Sequence, residues 1–413
     1  MSQQPIILPT TQAQVSGHRF LMRRIEHGVV LGDIRMIHDP LGRRARAAVF
    51  GLVACVLLCI GAGALALFAP RIDPGQAPIV VAESGALFVR IDDRLHPVAN
   101  LTSAQLITGA PERPAQVSNE ILADIPRGIP IGLIDAPGVI DSSIATDLHW
   151  SACANDIAIE VWAQQESFVS MPGGTALLVE TMGNTFFVTS SGRQLLPSGD
   201  TPEGRVVRRR LGITNQTPVW RLAPEMLNTI LELPPVAIPA RGQIWTTDAK
   251  ESYLLHDDAI IQLTDMQRDM LLDLGFSVEE VNRSSLNNIE DATPLLELPA
   301  HAPKTWVEPK GQFVCTTGDE ATIAIVEPKP GGVDIQEGLR YRGPGVSIPI
   351  DTGHGWIIVS DHGRRYGIPD EETLRALSSE KPIHAPWPVV RLLPEGPSLN
   401  RELALEPLFG ESQ

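Results

Sequence analysis

Apolar and polar positions divide the chain into three unlike stretches. Between Ala47 and Ala69 no residue is charged: AAVFGLVACVLLCIGAGALALFA. At about 1.5 Å per residue, a helix of that length crosses the ~30 Å hydrocarbon core with room for tilt. One transmembrane helix is predicted there, stopped by Pro70. A cleaved signal peptide is the alternative, because Ala64-Leu65-Ala66 resembles a cleavage site. The long stretch before the segment and its extended apolar core argue against cleavage. Upstream, Val15, Met22, Ile25 and Val29 recur at helical spacing. A helix is predicted from near Gln12, capped by Thr10 or Thr11, weakening at Gly28 and Gly32 and closed by Asp39-Pro40. Arg19, Arg23 and Glu26 occupy its other faces. So short a helix is marginal alone, so it must lie on a bilayer or dock on a partner. A single Met-Ile-Val stripe is a modest lipid anchor, which favours the partner. Val15, Arg19, Met22, Arg23, Ile25 and Val29 are therefore the candidate partner-binding residues.

Beyond a stiff Pro70–Pro78 linker, one pattern returns four times: an apolar strand, a polar turn, a short strand, a helix, and a Leu/Ile-Pro exit. The strand cores are Leu87-Phe88-Val89, Phe186-Phe187-Val188, Tyr253-Leu254-Leu255 and Ile357-Ile358-Val359. The turns are Asp93-Arg94, Gly192-Arg193, Ala259-Ile260 and Gly363-Arg364. The exits are Ile125-Pro126, Leu233-Pro234, Leu298-Pro299 and Leu393-Pro394. Successive turns are unevenly spaced, so extra sequence sits between repeats one and two and between repeats three and four. Each insert holds a Trp (Trp150, Trp306), a cysteine (Cys153, Cys315), a β-like run (Ile157–Ile159, Ile323–Ile325) and a Gly pair (Gly173-Gly174, Gly331-Gly332). The simplest geometry is a duplicated half. The two inserts would form one β-rich body on a pseudo-twofold axis, with two repeats on each side.

The predicted class is therefore α+β: a single-span membrane anchor followed by four small α/β repeats around a central body. The predicted segments are an arm (1–46), the membrane helix (47–69), a linker (70–78), repeat one (79–128), a first central segment (129–175), repeats two (176–240) and three (241–300), a second central segment (301–352), repeat four (353–400) and a tail (401–413). Charge fixes a direction. The arm carries seven Arg and three acids, while acids far outnumber basic residues in the remainder. The positive-inside rule places the N-terminus in the cytoplasm and the repeats outside. An oxidising exterior makes a Cys153–Cys315 disulfide the expectation, since equivalent positions meet near the axis. Cys55 and Cys59 read as small apolar filler in the membrane helix. The net charge of −16 argues against a nucleic-acid partner.

No constellation for catalysis stands out. The chain lacks a GxxxxGK[ST] phosphate loop, a GxSxG elbow and an HExxH helix, and no Gly-Lys pair occurs at all. No cofactor or metal is expected. His354, Asp361 and His362, and likewise His256-Asp257-Asp258, are explained as residues flanking hairpins. Arg208-Arg209-Arg210 reads as a solvated loop face.

Longer stretches carry a resemblance. They include Gln14-Val15-Ser16-Gly17-His18-Arg19-Phe20-Leu21 with Arg23-Arg24-Ile25-Glu26-His27, then Arg35-Met36-Ile37-His38-Asp39-Pro40-Leu41. After the apolar segment come Gly85-Ala86-Leu87-Phe88, Leu95-His96-Pro97-Val98, Leu106-Ile107-Thr108-Gly109 and Asp361-His362-Gly363-Arg364-Arg365-Tyr366-Gly367-Ile368-Pro369. On these the chain resembles the EccB family, membrane components of type VII (ESX) secretion systems in high-GC Gram-positive bacteria. The resemblance implies a cytoplasmic helix, one inner-membrane span and an elongated periplasmic domain whose four repeats are like phage-lysin wall-binding modules. It implies assembly with an EccC-type ATPase, EccD and EccE, self-association, contact with a mycosin protease, and export of folded WxG-type proteins. The alternatives are a membrane-anchored module contacting peptidoglycan, and an extracytoplasmic ATPase, a label some family members carry but for which this sequence has no phosphate loop.

Overall fold

The computed structural model describes residues 11–32, 34–35, 40–67, 73–141, 143, 147–292, 296–318 and 322–409. They fall in two compact units, Met1–Arg71 and Ile72–Gln413. In the first, α1 (Gln12–Leu31) starts with a capping box: Thr11 Oγ1 accepts from the Gln14 N–H, and the Gln14 side chain accepts from the Thr11 N–H. Gly32, at φ 69°, ends it in the left-handed conformation that glycine adopts without cost. α2 (Pro40–Leu67) begins at a proline, whose fixed φ suits a first turn. Within it Arg46–Ala64 is long and apolar enough to cross a membrane. The helix thus starts before the expected boundary at Ala47. Thr10, Asp39 and Pro70 lie outside the described residues.

The second unit begins with β1 (Ile79–Ala82), β2 (Leu87–Ile91), β3 (Arg94–Val98), α3 (Leu101–Thr108), β4 (Ala115–Val117) and α4 (Asn119–Asp124). Strands β1 to β3 form an antiparallel meander, and β4 returns parallel to β1 after the α3 crossover. β5 (His149–Ala154) and β6 (Ile159–Gln164) follow as a hairpin. The second module comprises β7 (Thr175–Thr181), β8 (Asn184–Thr189), β9 (Gly192–Leu195), α5 (Pro202–Arg210), β10 (Val219–Arg221) and α6 (Pro224–Leu227). The third has β11 (Gln243–Thr247), β12 (Ser252–His256), β13 (Ala259–Leu263), α7 (Asp265–Asp273), β14 (Val278–Val281), a 3-10 turn (Arg283–Asn288) and β15 (Glu290–Asp291). β16 (Thr305–Trp306) then joins β7.

β17 (Phe313–Thr316), β18 (Ile323–Val326), β19 (Val333–Gln336) and β20 (Leu339–Arg342) complete a six-stranded sheet in the order β18-β17-β5-β6-β20-β19. The fourth module is β21 (Ile348–Asp351), β22 (Trp356–Val359), β23 (Arg365–Ile368), α8 (Glu371–Leu377), β24 (Ile383–His384) and α9 (Trp387–Val390), with α10 (Arg401–Ala404) after it. In every module three antiparallel strands lead into a helix and a fourth strand parallel to the first.

Burial organises the modules. Ile79, Val89 and Ile107 of the first share a core with Ile358, Leu377 and Leu399 at the chain's other end. Val207 and Leu178 of the second meet Leu254, Met270 and Leu271 of the third. The sheet faces of the second and fourth modules both pack on the six-stranded sheet through Val179, Phe186, Ile350 and Ile357.

Three sequence expectations shift. Trp306 pairs with β7 and packs on Phe187 at 5.8 Å, so it is not the counterpart of Trp150 in the central sheet. Gly173-Gly174 leads into the second module, whereas Gly331-Gly332 precedes the additional β19-β20 hairpin. β21 opens the fourth module before the expected boundary at 353.

Candidate functional site

Three places concentrate the chemistry: the α1 surface, the turns that close each module, and the centre of the six-stranded sheet. On α1, Val15, Met22, Ile25 and Val29 are exposed, Val29 by 81%, and Arg19 and Arg23 are exposed beside them.

The turn residues of the four modules are not alike. Arg193 is buried. Its Nε donates to the Ile230 carbonyl at 3.3 Å, and one terminal nitrogen reaches Asn228 Oδ1 at 3.2 Å and Glu232 at 2.9 Å. Its guanidinium lies 5.5 Å from the Phe186 ring, close enough for a cation–π contact. Arg193 therefore clamps the chain returning from α6 alongside β9. In the fourth module the same clamp is made by Arg365, not Arg364. Arg365 donates from Nε to the Leu393 carbonyl at 2.9 Å, pairs with Glu395 at 2.8 Å, and lies 5.2 Å from the Trp387 ring. The pairing Val359↔Arg365 matches Val188↔Arg193, so Gly192-Arg193 and Gly363-Arg364 are one position out of step.

In the first module Leu95, not Arg94, takes the clamp position. Arg127 on the returning chain supplies the cation, 5.6 Å from the Phe88 ring. Arg94 begins β3 and is exposed, and Asp93 sits in the turn. In the third module Ile260 fills this place with an apolar side chain. The clamped exits are thus Ile125-Pro126, Ile230-Leu231, Ile289-Glu290 and Leu393-Pro394. Leu233-Pro234 and Leu298-Pro299 lie further along the chain.

The two turn glycines also differ in purpose. A Cβ on Gly192 would meet the Leu231 carbonyl oxygen at 2.6 Å, because the returning backbone passes there. One on Gly363 would collide with the Tyr341 side chain.

At the sheet centre, antiparallel β5 and β17 place Cys153 opposite Cys315, and the two are joined in a disulfide with Cα atoms 4.0 Å apart. Trp162, Phe168, Phe313 and Val326 enclose it. Trp162 is fully buried and gives its indole N–H to Glu160 at 2.8 Å. Glu160 is itself buried and accepts from Arg340 at 3.0 Å, with Arg342 at 3.5 Å, while Arg342 lies 5.1 Å from the Trp162 ring. The parallel register of β6 and β20 pairs Glu160 with Arg340 and Trp162 with Arg342. A buried carboxylate is tolerable only with such partners.

Arg210 ends α5 and bonds both Asp273 at 2.8 Å and Asp269 at 3.1 Å on α7. The hydrogen bond from Arg210 holds the Asp273 carboxyl below the ordinary carboxylate range. The Arg208–Arg210 run is therefore a helix end that staples two modules, not a solvated loop. Asp361 and His362 pair with each other at 2.9 Å in an exposed turn. Among the described residues no three His, Cys, Asp or Glu side chains gather to hold a metal.

The sequence profile described as "Type VII secretion system ESX-1, transport TM domain B" (T7SS_ESX1_EccB) matches residues 7–269 and 340–407. The chain belongs to the EccB family. Among EccB relatives, the "ESX-1 secretion system ATPase EccB1" of Mycobacterium tuberculosis is 28% identical over 461 residues, covering 96% of this chain and 94% of its own. The "ESX-3 secretion system ATPase EccB3" of Mycolicibacterium smegmatis is 29% identical over 471 residues, covering 96% and 90%. The fold matches an EccB3 dimer from the ESX-3 core complex at a TM-score of 0.65, with 22% identity over 80% of this chain and all of that one. It also matches a chain of an intact ESX-5 inner membrane complex at 0.64, with 23% identity, covering 98% and 97%.

Proposed function

We propose that this chain is a structural subunit of a type VII secretion membrane complex. Support comes chiefly from the family match, which runs from the arm through the apolar helix into the modules. The geometry suits such a role. A helix with an exposed apolar stripe precedes a helix of membrane-spanning length. The second unit is then built from clamped modules around a cross-linked sheet.

The excess of Arg before the apolar helix supports a cytoplasmic arm and a periplasmic second unit. In this reading α1 keys into cytoplasmic neighbours through Val15, Arg19, Met22, Arg23, Ile25 and Val29. The neighbours are an EccC-type ATPase, EccD and EccE, and the periplasmic unit contacts further copies and a mycosin protease. The complex would export folded WxG-type proteins. The four modules, with their shared strand order, are read as copies of one lysin-like unit in two halves, modules one and two matching three and four about an axis between β5 and β17.

Relatives carry the word ATPase in their names. This sequence has no phosphate loop, and hydrolysis is assigned to the EccC-type partner. The deciding experiment purifies tagged full-length protein in mild detergent beside a variant lacking residues 1–33. A very large assembly containing an FtsK/SpoIIIE-type ATPase, lost on deletion, is expected. Monomers or small oligomers from both would overturn the reading.

A further inference from the structure

The third module has lost its arginine clamp, and the loss leaves an acid behind. Arg193 and Glu232 are register partners in the second module, as are Arg365 and Glu395 in the fourth, and the pairs close at 2.9 and 2.8 Å. In the third module the same register sets Ile260 beside Asp291. The carboxylate is kept and its guanidinium is not. Asp291 and its neighbour Glu290 are both exposed. Among the described residues neither has a cation within ion-pair reach.

These acids stand at the rim of a groove. Its volume of about 510 Å³ falls in the ~300–1,000 Å³ range of ligand sites. Its apolar lining comes from Ile238, on the chain that links the second and third modules, from Ile261 of β13 and from Leu296 beyond β15. All three are half-buried and continue the core that the two modules share. Asp257 and Glu297 complete the acidic rim. Of the four acids only Asp257 is paired, with Arg241 at 2.6 Å. No lysine or arginine is among the described residues that line the groove.

One border of the groove is β15, the edge strand of its five-stranded sheet. An edge strand has backbone donors and acceptors to offer an extended chain. Apolar lining, acidic rim and open edge together select one class of occupant. An anionic ligand is repelled by the rim. A bare metal ion makes no use of the apolar lining, and no metal-ligand cluster occurs among the described residues. A neutral ligand would cover the carboxylates without giving them a counter-charge. An extended peptide with a basic side chain next to an apolar one answers all three features. The second and fourth modules show which base fits, because there the acid at this register position takes a guanidinium, whose planar fork matches a carboxylate.

We propose that this groove of the third module receives an arginine-bearing extended segment of a partner protein, the guanidinium meeting Glu290 and Asp291 and the adjacent apolar side chain resting on Ile238, Ile261 and Leu296. The segment supplies from outside the charge that the third module has lost. The inference rests on the reading of this chain as a subunit of a larger assembly.

The test uses full-length protein in a neutral detergent and two fluorescein-labelled peptides, Leu-Arg-Leu-Arg-Leu and the same sequence with citrulline in place of arginine. Binding is read by fluorescence anisotropy. The arginine peptide is expected to bind, and the citrulline peptide, which keeps the shape and loses the charge, to bind at least about tenfold more weakly. Combined Glu290→Gln and Asp291→Asn is expected to weaken the arginine peptide about tenfold. Combined Glu279→Gln and Glu280→Gln removes the same charge from β14, at the opposite edge of the sheet, and is expected to stay within about twofold of the parent. All four positions are exposed, so folding is left intact. No binding by the parent at millimolar peptide would overturn the proposal. So would equal weakening by the two double variants, which would mean general attraction to an acidic surface, or equal binding of the two peptides, which would mean apolar partition alone. Loss of self-association in the Glu290 and Asp291 variant, with no peptide bound by the parent, would make the groove an interface between copies and overturn it as well. The same proteins are run on a native gel. Entry of the parent into the large complex without peptide binding removes this proposal alone. Failure of the parent to form that complex removes the secretion reading instead.

Discussion

Arg193 and Arg365 hold the returning chain from beneath, each satisfying a backbone carbonyl that is otherwise hard to pair. Removing such a side chain leaves the carbonyl without its donor, while the exposed Glu232 and Glu395 carboxylates stay in water. Arg193→Ala is expected to cost about 2 kcal/mol and Arg365→Ala about 1–2 kcal/mol. Arg94→Ala, at the exposed start of β3, is expected to stay within about 0.5 kcal/mol. Urea unfolding of the three variants checks this, and an effect from Arg94 as large as that from Arg365 would contradict the assignment of the clamp. Sequence spacing points to Gly363-Arg364 because the fourth hairpin turn carries one residue more than the second. A one-residue difference moves every side chain to the other face and leaves no trace in composition. The buried Glu160–Arg340–Arg342 group is half legible: acid and aromatic alternate on one strand and two arginines alternate on another. Only the parallel register, which sequence does not show, joins them.

Arg210 gives a pH dependence with a definite sign. The Asp273 carboxyl is held below its ordinary range in the folded chain by the Arg210 hydrogen bond. Its contribution is therefore fully present above the unfolded carboxylate pKa of about 4 and is lost as pH falls through the lower folded value. Arg210→Leu is expected to destabilise the α5–α7 contact by at most about 1 kcal/mol at neutral pH, the usual size for a partly exposed pair. The difference from the parent, read by urea unfolding across a pH series, should shrink as pH falls below the unfolded carboxylate value of about 4. A difference that persists there would assign Arg210 a packing role instead.

Elements are legible where local rules decide them. The α1 start follows from Thr11 and Gln14, and the α2 apolar run announces itself by length. Thr11→Ala is expected to cost the first turn about 1 kcal/mol and to raise amide exchange at the α1 N-terminus severalfold. The strand cores around Phe88, Phe186, Leu254 and Ile358 are visible as apolar runs. The first strand of each module is not, since Ile79–Ala82 and Ile348–Asp351 look like linker until their partners are known. The exits also mislead: Leu-Pro pairs mark chain reversals in general, while the clamped exits are fixed by contact with β9 or β13. Gly192→Ala is expected to cost more than about 2 kcal/mol, because the left-handed backbone and the Leu231 carbonyl both refuse a methyl group. A thermal melt measures it, and a change under about 0.5 kcal/mol, the range of an ordinary surface substitution, would mean that the returning chain shifts freely.

The pairing of modules is a property of the whole molecule. Leu399 and Ala404 are fully buried against residues of the first module, from the opposite end of the second unit. Leu399→Ala is expected to cost about 2–4 kcal/mol and to speed amide exchange in α3 as much as in α8. Exchange confined to α8 would show the modules to be independent. The Cys153–Cys315 bond spans 162 positions. Loop-closure entropy puts its contribution on the order of 5 kcal/mol as an upper figure. Both features bear on timing. A chain delivered N-terminus first presents module one, and then Cys153, long before anything that completes them exists. The first module must wait for the segments around Leu399, and the first thiol must wait for the second half of the unit. A stalled or prematurely ended chain is thus left with an open first-module core and an unpaired Cys153. Both are closed only by the second half of the unit, so the fold of the beginning is complete only when the end has arrived.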